Sequence, residues 1–355
     1  MEEIIRSKFL RVTPSKEEGK RAAFLGCLPT TWQVTRNGAC RDQKEEESFL
    51  VIHERNQTVI EAAPEVIDFI DQYITPCALA SEDSDEQELC RLLTKIHFLH
   101  NNAYAESESY DILNSWLREF EKETRSLRYQ DVTAIYAARA GEPVQEILIE
   151  ILKIGQELYK ELIPFWQPLY ILFLTPEEYK KLRLEFNVPS DISAFIDSRT
   201  LLIMDYQSYF KQNNTRSFYP TVRHELIHIL FGQRAYYLPF WVEEGLCEYY
   251  SKKYRIDYLN YEIKRQRRIS FAEIDSEKVN YISQLNQFKK IQYVFYKQAA
   301  SFVDFLFQIF SEEYIWDMIG RSSIRRDFFE VLKAEQGIGL IQLQSRWESF
   351  IEEYS

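Results

Sequence analysis

Residues 224–228 read His-Glu-Leu-Ile-His. On a helix, positions i and i+4 share one face a turn apart, so His224 and His228 can each aim a ring nitrogen at a single Zn²⁺. Glu225 follows the first histidine and can reach the water-occupied coordination position, where a carboxylate serves as general base. Such an arrangement performs metal-assisted hydrolysis. The flanking residues predict the helix it needs: Pro220 in the first turn, Val222, Leu226, Ile229 and Leu230 on the buried side, and Gly232 as the stop.

Two histidines need a third protein ligand to hold a catalytic zinc. The metzincin continuation is absent, because Phe231 and Arg234 stand where it requires Gly and His. Further on, the chain reads Pro239-Phe240-Trp241-Val242-Glu243-Glu244-Gly245-Leu246-Cys247-Glu248-Tyr249. With the histidine motif, this segment resembles the W-x-x-E-G-x-x-E-Y helix of the gluzincin metallopeptidases, in particular the broad peptidase MA-like family. The resemblance implies one zinc per chain held by His224, His228 and Glu244, the Glu directly before the Gly being the third ligand. Glu248 lies one turn further on the same face, placed to accept the outer N–H of a liganding imidazole. Glu243 points about 100° away and is the weaker candidate. Cys247 reads as a packed small apolar residue.

The same resemblance implies a zinc-dependent peptidase and a zincin-like fold over roughly residues 130–320. Gluzincins lay an extended peptide along an edge strand beside the metal. Ser193–Asp197, with Ala194 and Phe195 as substrate-binding positions, and its neighbour Leu201–Met204 are the segments to test. These enzymes also use a Tyr or His to stabilise the oxyanion, a role that falls on Tyr296, with Tyr293 one turn earlier competing for it. No signature for gripping a free N-terminus is evident upstream, so the expectation is an endopeptidase acting on a peptide or protein client. Two other readings stand beside it: a peptide-binding maturation factor that recruits a leader peptide, and a non-catalytic metal-bearing scaffold. The intact Glu225 speaks against the scaffold.

The elements that must position these residues show a change of texture near residue 129. After it come a strand at Gln130–Tyr136, a long helix at Val144–Leu162 and a very apolar strand at Leu169–Leu174. A helix follows, opened by Thr175-Pro176-Glu177-Glu178, then extended runs at Ala194–Asp197 and Leu201–Asp205. From Gly232 the pattern is helical to a last amphipathic helix at Leu340–Tyr354. Before residue 129, strands at Thr30–Thr35, Phe49–Glu54 and Thr58–Glu61 precede helices at Ala63–Ile74, Gln87–Leu99 and Tyr110–Glu123, with an acidic stretch, residues 81–86, leading into the second. That order resembles a small winged-helix module and is faintly similar to PqqD-like peptide-recognition domains. The expected fold class is α+β: an N-terminal α+β domain over 1–105, a connecting helix over 106–128, and a metallopeptidase domain over 129–355.

Composition limits the partners. The 355 residues carry 43 Lys+Arg against 55 Asp+Glu, a formal charge of −12, which argues against a nucleic-acid partner. The acidic N-terminus lacks the apolar core of a signal peptide, and no apolar run approaches membrane-spanning length. Cys27, Cys40, Cys77, Cys90 and Cys247 are dispersed with no C-x-x-C pair, the pattern of reduced thiols in a cytoplasmic protein. His97 and His100, with Cys90 two turns back, read as core or surface residues rather than a second metal site. Lys264, Arg265, Arg267 and Arg268 read as a solvated basic helix face. Oligomeric state is left open.

Overall fold

Short apolar and β-branched runs separated by polar segments build the first part of the chain. The structure, a computed structural model, describes residues 3–6, 10–14, 31–34, 49–53, 58–72, 77–78, 84–95, 98–165, 167–186, 193–197, 200–211, 215–234, 238–252, 256–265, 268–271, 292–322 and 327–353. It divides into two units, Met1–Tyr110 with Ser323–Arg325, and Asp111–Ser322 with Arg326–Ser355.

In chain order the smaller unit contains β1 (Glu3–Arg6), β2 (Leu10–Pro14), β3 (Thr31–Val34), β4 (Phe49–His53), β5 (Thr58–Ala62), α1 (Pro64–Asp71), β6 (Cys77–Ala78), α2 (Ser84–Lys95) and β7 (Leu99–Asn101). Strands β4 and β5 pair antiparallel and sit inside a four-stranded sheet of order β2-β4-β5-β3, while β6, β1 and β7 form a separate three-stranded sheet. Val66, Ile67, Phe69 and Ile70 of α1 pack with Val51, Ile60, Leu93 and Phe98 in this unit's core. The second helix starts at Ser84, earlier than the sequence suggests, with Asp85 and Glu86 in its first turn. Acidic groups there complement the helix dipole, so part of the acidic run opens the helix rather than preceding it. Leu99 leaves the helix and pairs with Arg6.

The helix α3 (Asn102–Leu117) contains the division between the units. The larger unit continues with β8 (Glu123–Tyr129), β9 (Val132–Ala138), α4 (Gln145–Glu161), β10 (Leu169–Leu174), α5 (Pro176–Glu185), β11 (Ala194–Asp197), β12 (Leu201–Asp205), α6 (Tyr206–Lys211) and α7 (Thr215–Arg234). Then follow α8 (Phe240–Tyr250), α9 (Ile256–Lys264), α10 (Gln292–Phe310), α11 (Glu312–Gly320), α12 (Phe328–Gln336) and α13 (Leu340–Glu353). The protein is thus of mixed α+β class.

Five strands form one mixed sheet of order β11-β12-β10-β9-β8. Strands β9, β10 and β12 run parallel, and β8 and β11 are antiparallel at the two edges. All six residues of β10 are buried, as a central strand covered on both faces requires. Leu169, Ile171 and Phe173 join Ile147, Ile151 and Leu158 of α4 and Leu226 and Leu230 of α7 in one core. Tyr179 and Leu182 of α5 are buried too, and this helix packs on β10 and β12. Thr175 closes a capping box at its start, accepting from the Glu178 N–H while its own N–H donates to Glu178 Oε2 at 2.8 Å.

Three expectations need correction. Residues 123–128, assigned above to a helix joining two domains, lie in the edge strand β8. Gln130, at φ 51°, and Asp131 turn the chain so that Tyr129 pairs with Val132. The helix α7 begins before Pro220 and runs through Gly232 to Arg234. Burial of Leu226, Ile227, Leu230 and Phe231 outweighs the weak helix propensity of those two residues. Leu201–Met204 lies between β11 and β10, so it has no free edge. Among the described residues, no helix is long and apolar enough to cross a membrane.

Candidate metal centre

His224 and His228 stand on α7 and face α8. Their Nε2 atoms lie 3.2 Å apart, and Glu244 Oε2 lies 3.3 Å from the first and 3.5 Å from the second. A tetrahedral centre with ligands about 2.0–2.1 Å from zinc has ligand–ligand edges of about 3.3–3.4 Å. The three atoms therefore form one face of a tetrahedron of zinc's size. Glu244 is only 6% exposed, and among the described residues its Oε2 is buried without a hydrogen-bond donor. A buried carboxylate oxygen left without a donor is costly, and a cation is the group that would satisfy it. Two imidazoles and a carboxylate are a hydrolytic zinc donor set with one position left over.

Each imidazole has an outer carboxylate. Glu243 Oε1 accepts from His228 Nδ1 at 2.8 Å, and Glu248 Oε1 lies 3.4 Å from His224 Nδ1. The Glu243 hydrogen bond fixes the His228 tautomer that leaves Nε2 free to ligate, while among the described residues His224 Nδ1 makes no hydrogen bond. The outer partner of His228 was missed in the sequence, because a helical wheel turns Glu243 away from Glu244. His228 presents its outer nitrogen to that same side.

The site's electrostatics follow from burial among these charges. Burial pushes Glu225 up from the usual carboxylate range, with Glu244 and Glu248 adding to it against the two histidines. Burial acts to lower both imidazoles. It is outweighed for His224 by Glu244 and Glu248, and for His228 by Cys247, Glu244 and Glu243, so both end above the ordinary value. Burial also opposes ionisation of Glu244, but His228 and His224 hold it far below its usual range.

Cys247 offers a rival third ligand, since its thiol lies within 4.8 Å of ligand atoms on both histidines. The geometry favours Glu244: its oxygen closes the triangle with both Nε2 atoms, whereas burial holds the Cys247 thiol well up in its protonated form.

Gly245 explains how α10 reaches the site. A Cβ there would stand 2.6 Å from the Ala299 carbonyl oxygen and 2.9 Å from Val303 Cγ2. Only glycine lets α10 cross α8 this closely. That crossing brings Tyr296, near the start of α10, to a ring distance of 6.3 Å from His224, edge to face at 75°. Burial, followed by Glu244, Glu248 and Glu225, pushes the Tyr296 phenol well up and keeps it a proton donor. The side chain of the competing Tyr293 lies outside the described residues.

The expected substrate strand is the outer strand of its sheet, and among the described residues no strand pairs with its far edge. Ala194 and Phe195 bury their side chains, Phe195 against Tyr179 and Phe186 at ring distances of 5.7 and 5.6 Å. Their backbone, not their side chains, is what this strand can offer a peptide.

Other sequence features lie apart from this constellation. His97 and the side chain of His100 lie outside the described residues, and Cys90 is a buried free thiol. Lys264 and Arg268 bind Glu352 of α13, and Arg265 stacks over Tyr261, while Arg267 lies outside the described residues. No family model matches the chain, and comparisons with curated proteins and with solved structures find no match.

Proposed function

We propose that the chain is a zinc-dependent peptidase of gluzincin type, with a zincin-like fold in its larger unit, acting as an endopeptidase on a peptide or protein client. The observation that carries this reading is the convergence of His224 Nε2, His228 Nε2 and Glu244 Oε2 within 3.2–3.5 Å of one another, with Glu225 next to the first ligand.

Zinc, when bound by these three residues, supplies Lewis acidity that polarises the scissile carbonyl and makes water a competent nucleophile near neutral pH. Glu225 takes the proton of the attacking water and delivers it to the leaving amine, work that burial favours by raising this carboxyl. Tyr296 donates a hydrogen bond to the developing oxyanion, an interaction of about 3–4 kcal/mol where such donors are well placed. Glu243 holds the His228 imidazole in the ligating tautomer, and Glu248 sets its carboxylate 3.4 Å from His224 Nδ1. The outer edge of β11 aligns the extended peptide through backbone hydrogen bonds.

The test is elemental analysis of the purified protein beside His224→Ala, Glu244→Ala and Glu225→Gln. The expected result is about one zinc per chain in the parent and in Glu225→Gln, and none in the two ligand variants. Peptide cleavage is expected in the parent alone. A parent free of zinc, or a Glu225→Gln variant that cleaves as well as the parent, would overturn the reading.

A further inference from the structure

One buried cation beside the site has no part in the chemistry above. Arg223 directly precedes His224 and is completely buried. Its Nε donates to the Tyr250 carbonyl at 2.5 Å, its Nη1 to Tyr219 Oη at 3.4 Å and Glu157 Oε2 at 3.5 Å, and its Nη2 to Glu161 Oε2. These bonds reach three helices. Tyr219 belongs to α7, which carries both histidines. Tyr250 is the last residue of α8, which carries Glu243, Glu244 and Glu248. Glu157 and Glu161 belong to α4, the helix packed between the sheet and α7.

A helix end leaves carbonyl groups without intrahelical donors and carries partial negative charge. The Arg223 guanidinium meets both needs at the end of α8, while its other nitrogens are held by α4. The rigid fork of donors fixes a direction as well as a distance, which the point charge of a lysine does not. Lys252, just beyond α8, donates to Glu161 Oε1 at 2.9 Å and ties the same end to the same carboxylate.

We propose that Arg223 is a positioning residue for the metal centre: it locks the end of the Glu244 helix to the histidine helix, and thereby sets the spacing of the three ligand atoms. The inference rests on the zinc reading above. Loss of the fork lets the two helices shift, and shifts of a few tenths of an ångström spoil a triangle with edges of 3.2–3.5 Å.

The experiment measures zinc affinity of the folded full-length protein by competition with a chromophoric chelator, together with the visible spectrum of the Co²⁺-substituted protein. Arg223→Met is expected to bind zinc about 10–100-fold more weakly and to alter the Co²⁺ bands. Arg223→Lys, which keeps the charge but loses the fork, is expected to fall in between and carries the test if Arg223→Met does not fold. Parental zinc affinity and an unchanged Co²⁺ spectrum in either folded variant, even with a lowered melting temperature, would reduce Arg223 to a stabilising role and overturn the proposal. A parent that binds no zinc, judged against His224→Ala, would instead overturn the reading of the site and the positioning role with it.

Discussion

Two clusters of buried charge in the larger unit are assembled from similar residues and close differently. In the first, Lys122, with its side chain wholly buried, pairs with Glu142 at 2.8 Å and Glu178 at 3.0 Å, and Arg139 meets Glu178 at 2.8 Å. Two cations face two carboxylates, and these pairs tie the start of β8, the turn after β9 and the first turn of α5. In the second, Glu225, Glu243, Glu244 and Glu248 surround two imidazoles. Buried charges are retained when paired, so the first cluster explains itself as a fold device. Among the described residues, the second sets four carboxylates against two imidazoles, an acidic excess that the first lacks. A divalent cation, as proposed above, would balance it.

The largest expected effect comes from breaking the balanced cluster. Lys122→Met leaves two carboxylates buried with one cation fewer and should cost about 3–5 kcal/mol, read as a lowered urea midpoint with or without zinc. Glu244→Gln should instead show an effect that depends on zinc. In zinc-free protein it removes a carboxylate that His228 and His224 hold ionised, so it should cost some stability, but less than Lys122→Met. With zinc at 100 times its Kd the parent should gain about 2.7 kcal/mol that the variant lacks. If Glu244→Gln destabilised zinc-free protein as strongly as Lys122→Met does, the two clusters would be of one kind.

A smaller effect separates ligands from their outer partners. Glu243→Gln keeps the triangle and weakens the grip on His228, so zinc affinity should fall about 10–100-fold while the stoichiometry holds. Loss of zinc altogether would make Glu243 a ligand rather than a partner.

The smallest effect belongs to a third, half-exposed cluster around Glu161. Partial burial pushes this carboxyl up, but the Lys252 hydrogen bond and the Arg223 charge outweigh it and leave the group below its usual range. The folded pKa is depressed, so its contribution is present above the unfolded carboxylate value and lost as pH falls through the folded one. Melting curves on the acid side should therefore be slightly flatter for Glu161→Gln than for the parent. A steeper curve would reverse the assigned sign.

Much of the centre was legible because helical periodicity is a strong constraint. Spacing alone puts His224 and His228 on one face, and Glu244 and Glu248 on another. The less legible residues depend on what a neighbouring element presents. Glu243 matters because of the side on which His228 exposes its outer nitrogen. Arg223 reads as an ordinary flanking cation until α4 and the end of α8 close around it. In the fold, the continuous apolar run of β10 was plain, whereas β8 carries Glu123, Arg125 and Arg128 at a sheet edge. Its turn, Gln130-Asp131, lacks the Asn-Gly or Asp-Gly signature of a tight hairpin.

Nine of the eleven residues of α8 are buried, and stacked aromatic rings from Phe271 and Phe329 lie against Trp241 at 4.2 and 5.2 Å. Only Phe240 and Tyr249 of this helix are half-buried, so small local openings expose little of its backbone. Its amide protons should exchange with deuterium only when the whole unit unfolds. The segment bearing three of the site's carboxylates would then be the last to record any breathing of the surrounding shell.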